Sequence, residues 1–185
     1  FLYFRTILIM LVTLYTSRVV LISLGVEDYG VYNAVGGVVS LFAVLSGAMS
    51  NAISRFITYG IGKGDSGKQN EIFCTSVNVQ IILSIIVLIL GETLGVWFLN
   101  SQMNIPIDRI TAANWVLQCT LLAFVVNLVS VPYNACIIAY EHMKAYAYIS
   151  VFDAILKLGV AFLLIISPGD KLIAYSILLV AASLG

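Results

Sequence analysis

Charged residues are scarce in this chain of 185 residues. Asp, Glu, Lys and Arg together make up 10% of it, against about 25% in soluble domains. Hydrophobic residues make up 61%, where a soluble domain has about 45–50%. This balance excludes a soluble domain and indicates an integral membrane protein. Because the formal net charge is +0, the composition gives no indication of the basic surface by which a nucleic acid is bound.

Histidine and cysteine are also rare. His142 is the single histidine, and apart from Glu141 no carboxylate or nucleophile accompanies it, so we expect no enzymatic activity. The three cysteines, Cys74, Cys119 and Cys136, lie in apolar segments without the spacing of metal ligands. We interpret them as free thiols. The sequence therefore predicts no catalytic residue, no metal site and no cofactor.

Long apolar runs account for most of the chain. A helix crosses the hydrocarbon of a bilayer with about 20 apolar residues, and the runs predict about six such spans. They cover residues 2–24, 31–59, 72–99, 110–139 and 145–166, and the sixth begins at residue 172. The predicted fold is an all-α, polytopic transmembrane helix bundle. Because the chain opens at Phe1 and ends within an apolar run, we expect residues 1–185 to be a fragment, a single transmembrane lobe with a truncated sixth span.

The basic residues predict the orientation of the bundle. With the N-terminus in the cytoplasm, the following lie inside or near the inner surface: Arg5, Arg55, Lys63, Lys68 and Lys144. Arg109 and Lys171 lie outside, whereas Arg18 and Lys157 fall within spans. An excess of Lys and Arg on the cytoplasmic side is the usual pattern in membrane proteins. We therefore expect a cytoplasmic N-terminus.

Arg18 lies inside the first apolar run, shortly before the turn formed by residues 25–30. An arginine at bilayer depth costs about 2.5–3.5 kcal/mol on insertion scales, so it usually has a partner, a water-filled cavity or an anionic ligand. One interpretation is that Arg18 reaches the outer interface or pairs with Glu27 or Asp28. The other is an anion site in a central cavity, because a guanidinium binds phosphate oxygens bidentately.

Other charged residues fall within spans or close them. Arg55 ends the second span and is either a cytoplasmic anchor or a second phosphate contact. Asp153 and Lys157 are four residues apart in the fifth span. They either neutralise each other or face a cavity and bind a substrate or a coupling ion. Glu92, in the third span, is either an interfacial residue or a further member of such a site.

Polar and small side chains within the spans mark the expected interior of the bundle. Lipid offers polar groups no partners, so we predict that the interior is lined by Ser50, Asn51, Gln80, Asn127 and Asn134. Small residues also recur along one face of the second span, at Gly36, Ser40, Ala43, Gly47, Ser50 and Ser54. That face either packs tightly against another helix, or slides past one or lines a cavity.

Three stretches carry a family resemblance: SRVVLISLGVEDYGVYNAVGGVV from residue 17, AISRFITYGIGKGD from residue 52, and VPYNACIIAYEHMKAYAYISVFDAILKLG from residue 131. Their shared features are a basic residue late in the first span, an LG-x-E-x-YG turn, a small-residue second span that ends near SRF, and a P-Y-x-A…A-x-E-x-x-K-A turn. In this order and spacing they resemble the bacterial polysaccharide flippases. These are the Wzx-like and lipid II flippase-like members of the MOP exporter superfamily, relatives of the MATE multidrug transporters.

The resemblance implies an architecture of two six-helix lobes, of which this chain would be the first. It implies that the protein flips a polyprenyl-pyrophosphate-linked oligosaccharide across the bacterial inner (cytoplasmic) membrane by alternating access, for O-antigen, capsule or exopolysaccharide biosynthesis. Arg18 and Arg55 would contact the pyrophosphate. Membrane lipid and other membrane proteins of polysaccharide assembly would be further partners.

Other functions remain open at this point. A MATE-type, cation-coupled multidrug exporter would have the same fold, but its cavity should favour carboxylates and aromatic rings. The charges within the spans, Arg18, Lys157 and Asp153, instead favour an anionic substrate. A membrane-embedded polysaccharide polymerase or ligase would need a long outer loop with catalytic residues, which this stretch lacks. A purely structural membrane protein would not require charges at this depth.

Overall fold

The structure is a computed structural model that describes residues 2–63, 66–101, 109–166 and 171–184. Helices account for nearly all of these residues. They are α1 (Leu2–Lys63), α2 (Ser66–Leu90), α3 (Val96–Ser101), α4 (Ile110–Ala139), α5 (Met143–Ile166) and α6 (Lys171–Leu184). A π-helical turn, Gly91–Gly95, joins α2 to α3. Those ranges contain no strand. Parts of three predicted connectors, residues 64–65, 102–108 and 167–170, lie outside them, as do Phe1 and Gly185.

α1 is divided into two arms at Gly25. The φ of 82° and ψ of 170° at this residue are non-helical, and glycine adopts a positive φ readily because it has no Cβ. We call residues 2–24 α1a and residues 26–63 α1b. The expected turn over residues 25–30 is therefore wrong, because the helix resumes directly after Gly25. Glu27 and Asp28 lie in the first turn of α1b, where a carboxylate is favoured by the helix dipole.

The helices run between two ends of the bundle, named here after Gly25 (the elbow end) and the α4–α5 turn at residues 140–142 (the hairpin end). At the elbow end, Val31 of α1b packs in one cluster with Leu99 and Leu172. At the hairpin end, Ile57 of α1b packs in another cluster with Ala135. α1b therefore runs from the elbow end to the hairpin end, in the same direction as α4.

α1a runs in the opposite direction to α1b and lies along α5. Near the hairpin end, Arg5 Nη1 donates to Ser150 Oγ at 3.5 Å, and its guanidinium lies 4.8 Å from the centre of the Tyr146 ring. Towards the elbow end, Val20 packs with Leu164. The chain thus reverses at Gly25, so the predicted first and second spans are two arms that meet at one residue.

The dimensions and surface of the bundle suit a membrane. Within the described residues, four segments are long and apolar enough to cross one: Arg5–Ser40, Gln69–Leu99, Ile110–Ala139 and Met143–Ile165. α6 contains a shorter apolar helix, Lys171–Ser183. Trp97 and Trp115 are exposed near the elbow end, and Tyr59 and Tyr140 near the hairpin end, which resembles the two aromatic belts of a membrane protein. The predicted fold class, an all-α transmembrane helix bundle, is confirmed.

The cations are distributed unevenly between the two ends. Arg5, Arg55 and Lys144 lie towards the hairpin end, whereas Arg109 and Lys171 begin helices at the elbow end. The side chains of Lys63 and Lys68 lie outside the described part of the chain. The bias has the sense expected if the hairpin end faces the cytoplasm, and the cytoplasmic N-terminus stays a prediction.

Two glycines of the third predicted span, rather than of the second, lie in close contact with a neighbouring helix. A Cβ added to Gly91 would lie 2.4 Å from Leu121 Cδ2 of α4, and one added to Gly95 would lie 3.4 Å from Leu117 Cδ2. By contrast, a Cβ added to Gly36 would meet nothing within 4 Å. Tight packing of the small-residue face is therefore wrong at Gly36, whose side of α1b opens to the solvent-accessible cleft described next.

Candidate functional site

A cleft of about 770 Å³ opens among α1b, α4, α5 and α6. Its volume falls within the range of about 300–1,000 Å³ that is typical of ligand pockets. α5 contributes a charged pair, α4 contributes amides and hydroxyls, and the shorter walls contain Ser40 of α1b and Ser176 of α6. The remaining wall is aliphatic and aromatic. An apolar wall with a few convergent polar groups is the usual composition of a ligand site.

One face of α5 supplies the charged wall. Tyr146, Ser150, Asp153 and Lys157 all line the cleft, and their spacing places them on the same side of the helix. Lys157 Nζ donates to Asp153 Oδ2 at 2.7 Å. Both side chains stay nearly half exposed, at 48% and 46%. The two charges therefore neutralise each other and also face a cavity, and binding of a substrate or a coupling ion stays a prediction.

Polar side chains of the cleft donate hydrogen bonds to backbone carbonyls of their own helices. Asn127 Nδ2 donates to a carbonyl one turn earlier at 2.9 Å, and Ser130 Oγ does the same at 3.0 Å. On α5, Ser150 Oγ donates to a carbonyl one turn earlier at 2.7 Å. What these groups have left for a ligand is mostly oxygen lone pairs. The wall therefore suits a ligand rich in hydroxyl or amide donors.

The predicted lining residues divide into two groups. Asn127 and Asn134 line the cleft, whereas Ser50, Asn51 and Gln80 are not part of its wall. Gln80 is fully buried, and neither polar atom of its side chain has a hydrogen-bond partner among the described residues. It lies in the interior of the bundle, as expected because lipid offers a polar side chain no partner, but it lies away from the cleft.

Arg18 lies on the side of α1a that faces away from the rest of the bundle. Leu14, Leu21 and Ile22 on that side are exposed, whereas Val20 on the opposite side packs with α5 and α6. Arg18 is itself exposed and does not line the cleft. The structure therefore places this arginine on an apolar surface that no described helix covers.

The acid that Arg18 was expected to meet has another partner. Asp28 is buried, and its Oδ1 lies 3.2 Å from Arg109 Nε at the start of α4. This ion pair joins the first turn of α1b to the first turn of α4 at the elbow end. Pairing of Arg18 with Asp28 is therefore wrong in this arrangement, and Glu27 is exposed on α1b.

Arg55 lies towards the hairpin end of α1b. It is exposed, as is Asn51 one turn before it, and Ser50 is half-buried. Ile53 and Ile57 occupy the other side of this segment, where they pack against α4. Arg55 and Asn51 thus form a polar strip on α1b that is separate from the cleft wall.

Glu92 lies in the π-helical turn and is half-buried. Its Oε2 accepts a 2.7 Å hydrogen bond from Gln118 Nε2 of α4. It is not part of the cleft wall. Sequence reasoning missed Gln118, because no spacing rule links a residue of α4 to a π-helical turn.

Several cleft residues were not among the predicted lining residues. They include Tyr32, Tyr133, Tyr146, Ser150, Ser176 and Ser183. Steps of three and then four residues back along α5 from Asp153, which stay on one side of a helix, would have identified Ser150 and Tyr146. No similar signal marks Tyr32, which reaches the cleft because it packs on α6 with its ring centre 5.1 Å from that of Tyr175.

The described residues contain no group of three or more His, Cys, Asp and Glu side chains that could hold a metal ion. Comparisons of the chain with protein-family models, with curated proteins and with solved structures find no match.

Proposed function

We propose that the protein is one lobe of a transporter that flips a polyprenyl-pyrophosphate-linked oligosaccharide across the bacterial inner membrane by alternating access. The observation that supports this most is the cleft, in which Asp153 and Lys157 lie within a membrane-spanning helix and remain accessible. Charged side chains within spanning helices typically mark a substrate pathway. The resemblance of three sequence stretches to polysaccharide flippases favours the same class of substrate.

The chemistry of the cleft wall suits a sugar headgroup. Its serines and asparagines offer mainly acceptor oxygens, which complement the hydroxyl donors of a sugar. Aromatic rings such as Phe124 and Tyr133 also line the cleft and present apolar faces to sugar rings. The lipid tail of the substrate would stay in the bilayer, next to the exposed apolar side chains of the helices.

The pyrophosphate of the substrate requires a cation. Lys157 supplies one within the cleft when a phosphate oxygen displaces Asp153. Arg18 and Arg55 lie outside the cleft, on the exposed side of α1 (the α1 surface). In this proposal the α1 surface faces the second lobe, and the two arginines contact the pyrophosphate there. Arginine suits this role because its planar fork binds two phosphate oxygens together and stays charged.

A cation-coupled multidrug exporter is the second candidate, since Asp153 offers a carboxylate to a cationic drug. The 2.7 Å contact with Lys157 disfavours this function, because a cationic drug would have to displace the ammonium group and would then lie beside it. The two functions also predict opposite effects of neutralising Lys157. Loss of the lysine should weaken the handling of an anionic lipid and should strengthen the handling of a cation.

The test follows the movement of a fluorescent polyprenyl-pyrophosphate oligosaccharide between leaflets in vesicles that contain the purified protein. We expect movement with the wild type. Lys157→Gln should lower its rate about tenfold or more, because the substitution removes a hydrogen bond between the charged ammonium group and the phosphate. Lys144→Gln is the matched control, because Lys144 is an exposed lysine of the same helix outside the cleft wall. A folded wild type that moves no substrate, or equal effects of the two substitutions, would overturn the proposal.

A further inference from the structure

A second pocket, of about 470 Å³, lies beside the cleft at the hairpin end of the bundle. α2 and α4 supply most of its wall, and Ile57 of α1b completes it, so we call it the α2–α4 pocket. Its volume is also typical of a ligand pocket. Tyr133 lines both cavities, whereas Asp153 and Lys157 line the cleft alone. The α2–α4 pocket is therefore a neighbour of the candidate site with a wall of its own.

The polar and the aromatic side chains of the α2–α4 pocket lie at different depths. Gln69 and Asn70 near the start of α2, and Tyr140 after the last residue of α4, lie closest to the hairpin end. Along α2, Phe73 lies about 6 Å further into the bundle than Gln69, and along α4, Tyr133 lies about 10 Å further in than Tyr140. The rings of Phe73 and Tyr133 meet edge to face, with centres 5.3 Å apart. The pocket thus has a polar outer end and an aromatic inner end.

This order of depths matches the layers of a bilayer. Exposed Tyr59 and Tyr140 mark the hairpin end, and tyrosines of this kind lie at the level of the lipid headgroups. The polar end of the α2–α4 pocket therefore lies at the interface, and its aromatic end lies at the level of the hydrocarbon. A phospholipid has the same order, because its ester groups lie below the headgroup and above the acyl chains.

The polar end of the α2–α4 pocket offers hydrogen-bond donors. Gln69 Oε1 accepts a hydrogen bond from Tyr140 Oη at 2.9 Å, and Asn70 Oδ1 accepts a contact of 3.9 Å from Cys74 Sγ. The oxygen of each amide is thus engaged, and what each has left for a ligand is mainly an NH₂ group with two donors. The cleft wall, by contrast, offers mainly acceptor oxygens. The two cavities therefore suit ligands of opposite hydrogen-bonding character.

The charge of the α2–α4 pocket also restricts its ligand. None of the described residues that line it is charged. A phosphate or pyrophosphate that is taken out of water needs a cation beside it, whereas an ester carbonyl is neutral and needs a hydrogen-bond donor alone. An uncharged wall with amide donors therefore favours the ester groups of a lipid over its headgroup.

We propose that the α2–α4 pocket binds a glycerophospholipid from the leaflet at the hairpin end. Its ester carbonyl oxygens accept hydrogen bonds from the amides of Gln69 and Asn70, and one acyl chain packs against Phe73 and Tyr133. The headgroup stays outside the pocket, in water. This lipid is a resident ligand rather than the transported substrate, so the site does not depend on the proposed transport function.

The native cysteines provide a direct measurement. Cys136 lines the α2–α4 pocket and is half-buried, Cys74 is exposed outside it, and Cys119 is buried. The rate at which a thiol reagent labels each cysteine of the purified protein in detergent is measured as phosphatidylglycerol with two ester-linked chains is added. We expect this lipid to slow the labelling of Cys136 and to leave the rate at Cys74 unchanged. No protection of Cys136 by the lipid would overturn the site.

A diether analogue with the same headgroup and chains tests the contact with the carbonyl oxygens, which it lacks. Half-protection of Cys136 should need about two- to tenfold more of the diether lipid, the equivalent of one hydrogen bond. Equal protection by the two lipids would overturn the contact with the ester groups. Polyprenyl pyrophosphate should protect more weakly than the diester lipid. If it protects at lower concentrations, the pocket belongs to the substrate pathway and the proposal is wrong.

Substitutions test the two amides. Asn70→Leu and Gln69→Met each remove an NH₂ group, and each should raise the concentration of the diester lipid for half-protection about two- to tenfold. The matched control is Asn78→Leu, because Asn78 is an exposed amide of α2 outside the pocket wall. Cys119 that stays unlabelled shows that each variant is folded. Half-protection at the same concentration in all three variants would overturn the role of the amides.

Discussion

Lys157 Nζ lies 2.7 Å from Asp153 Oδ2, one turn earlier on α5, and both side chains face the cleft. The pair leaves the cleft with no net charge from α5 in the absence of a ligand. An anionic ligand must therefore compete with Asp153 for the ammonium group. In the proposed transporter, this competition allows a pyrophosphate to be held during passage and then released.

Exchange of the two charges separates neutralisation from placement. The double variant Asp153→Lys with Lys157→Asp keeps a neutral pair at the same spacing, so we expect normal membrane insertion. Transport should be lost, because the cation moves one turn towards the hairpin end and the carboxylate takes its place in the cleft. The measurement compares the amount of inserted protein with the rate of flipping in vesicles. Wild-type rates in the exchanged variant would show that the pair serves neutralisation alone.

Arg18 tests whether the α1 surface takes part in transport. Arg18→Ala should abolish flipping while the protein still inserts, since the arginine contacts no described helix whose packing it would support. Arg18→Lys should restore part of the rate, because a lysine keeps the charge but lacks the planar fork. Leu14→Ala, on the same exposed side of α1a, is the control and should leave the rate unchanged. Normal flipping by Arg18→Ala would exclude the anion contact at this residue.

The sequence predicted the helices well because each depends on a local property. Apolar runs of sufficient length predict spans whatever their neighbours are, and the bounds of α4 agree with the predicted run. The turn over residues 25–30 was wrong because its acidic residues resemble a loop. In the structure they begin α1b, and the reversal depends on the conformation of Gly25 alone.

The site was less predictable because it depends on contacts between helices. Asp153 and Lys157 could be placed on one face from their spacing, yet no pattern shows whether that face meets a cavity. Gln80 and Asn127 are both amides within apolar runs, but one is buried between helices and the other lines the cleft. Gln118 became relevant only through a π-helical turn, which has no recognised sequence signature.

Gly91→Ala should destabilise the bundle. The added Cβ would lie 2.4 Å from Leu121 Cδ2 and 2.8 Å from Leu121 Cδ1, and overpacking of this kind costs about 1–3 kcal/mol. Leu121→Ala in the same chain should recover part of the loss, because it removes the atoms that clash. Gly47→Ala is the control, since its Cβ would meet nothing within 4 Å.

The stability of these variants can be measured through a buried thiol. Cys119 is buried and Cys74 is exposed, so a background with Cys74→Ser and Cys136→Ser reports unfolding through labelling of Cys119 alone. We expect labelling at a lower temperature in Gly91→Ala than in Gly47→Ala. Equal labelling temperatures would contradict the close approach of α2 and α4 at the π-helical turn.

Gly25 provides a test of the fold itself, because its conformation reverses the chain between α1a and α1b. Its φ of 82° and ψ of 170° fall in a region that is essentially restricted to glycine, where other residues cost about 1–3 kcal/mol. An added Cβ at Gly25 would meet nothing within 4 Å, so the cost of Gly25→Ala should come from the backbone alone. Gly25→Asn should be as destabilising, although asparagine tolerates the left-handed helical region well.

The control is Gly30→Ala, because Gly30 is helical and also has open space, and there alanine should be neutral or stabilising by about 0.5–1 kcal/mol. Thermal labelling of Cys119 measures all three, and a stable Gly25→Asn variant would mean that the elbow is a left-handed helical turn rather than the extended glycine conformation.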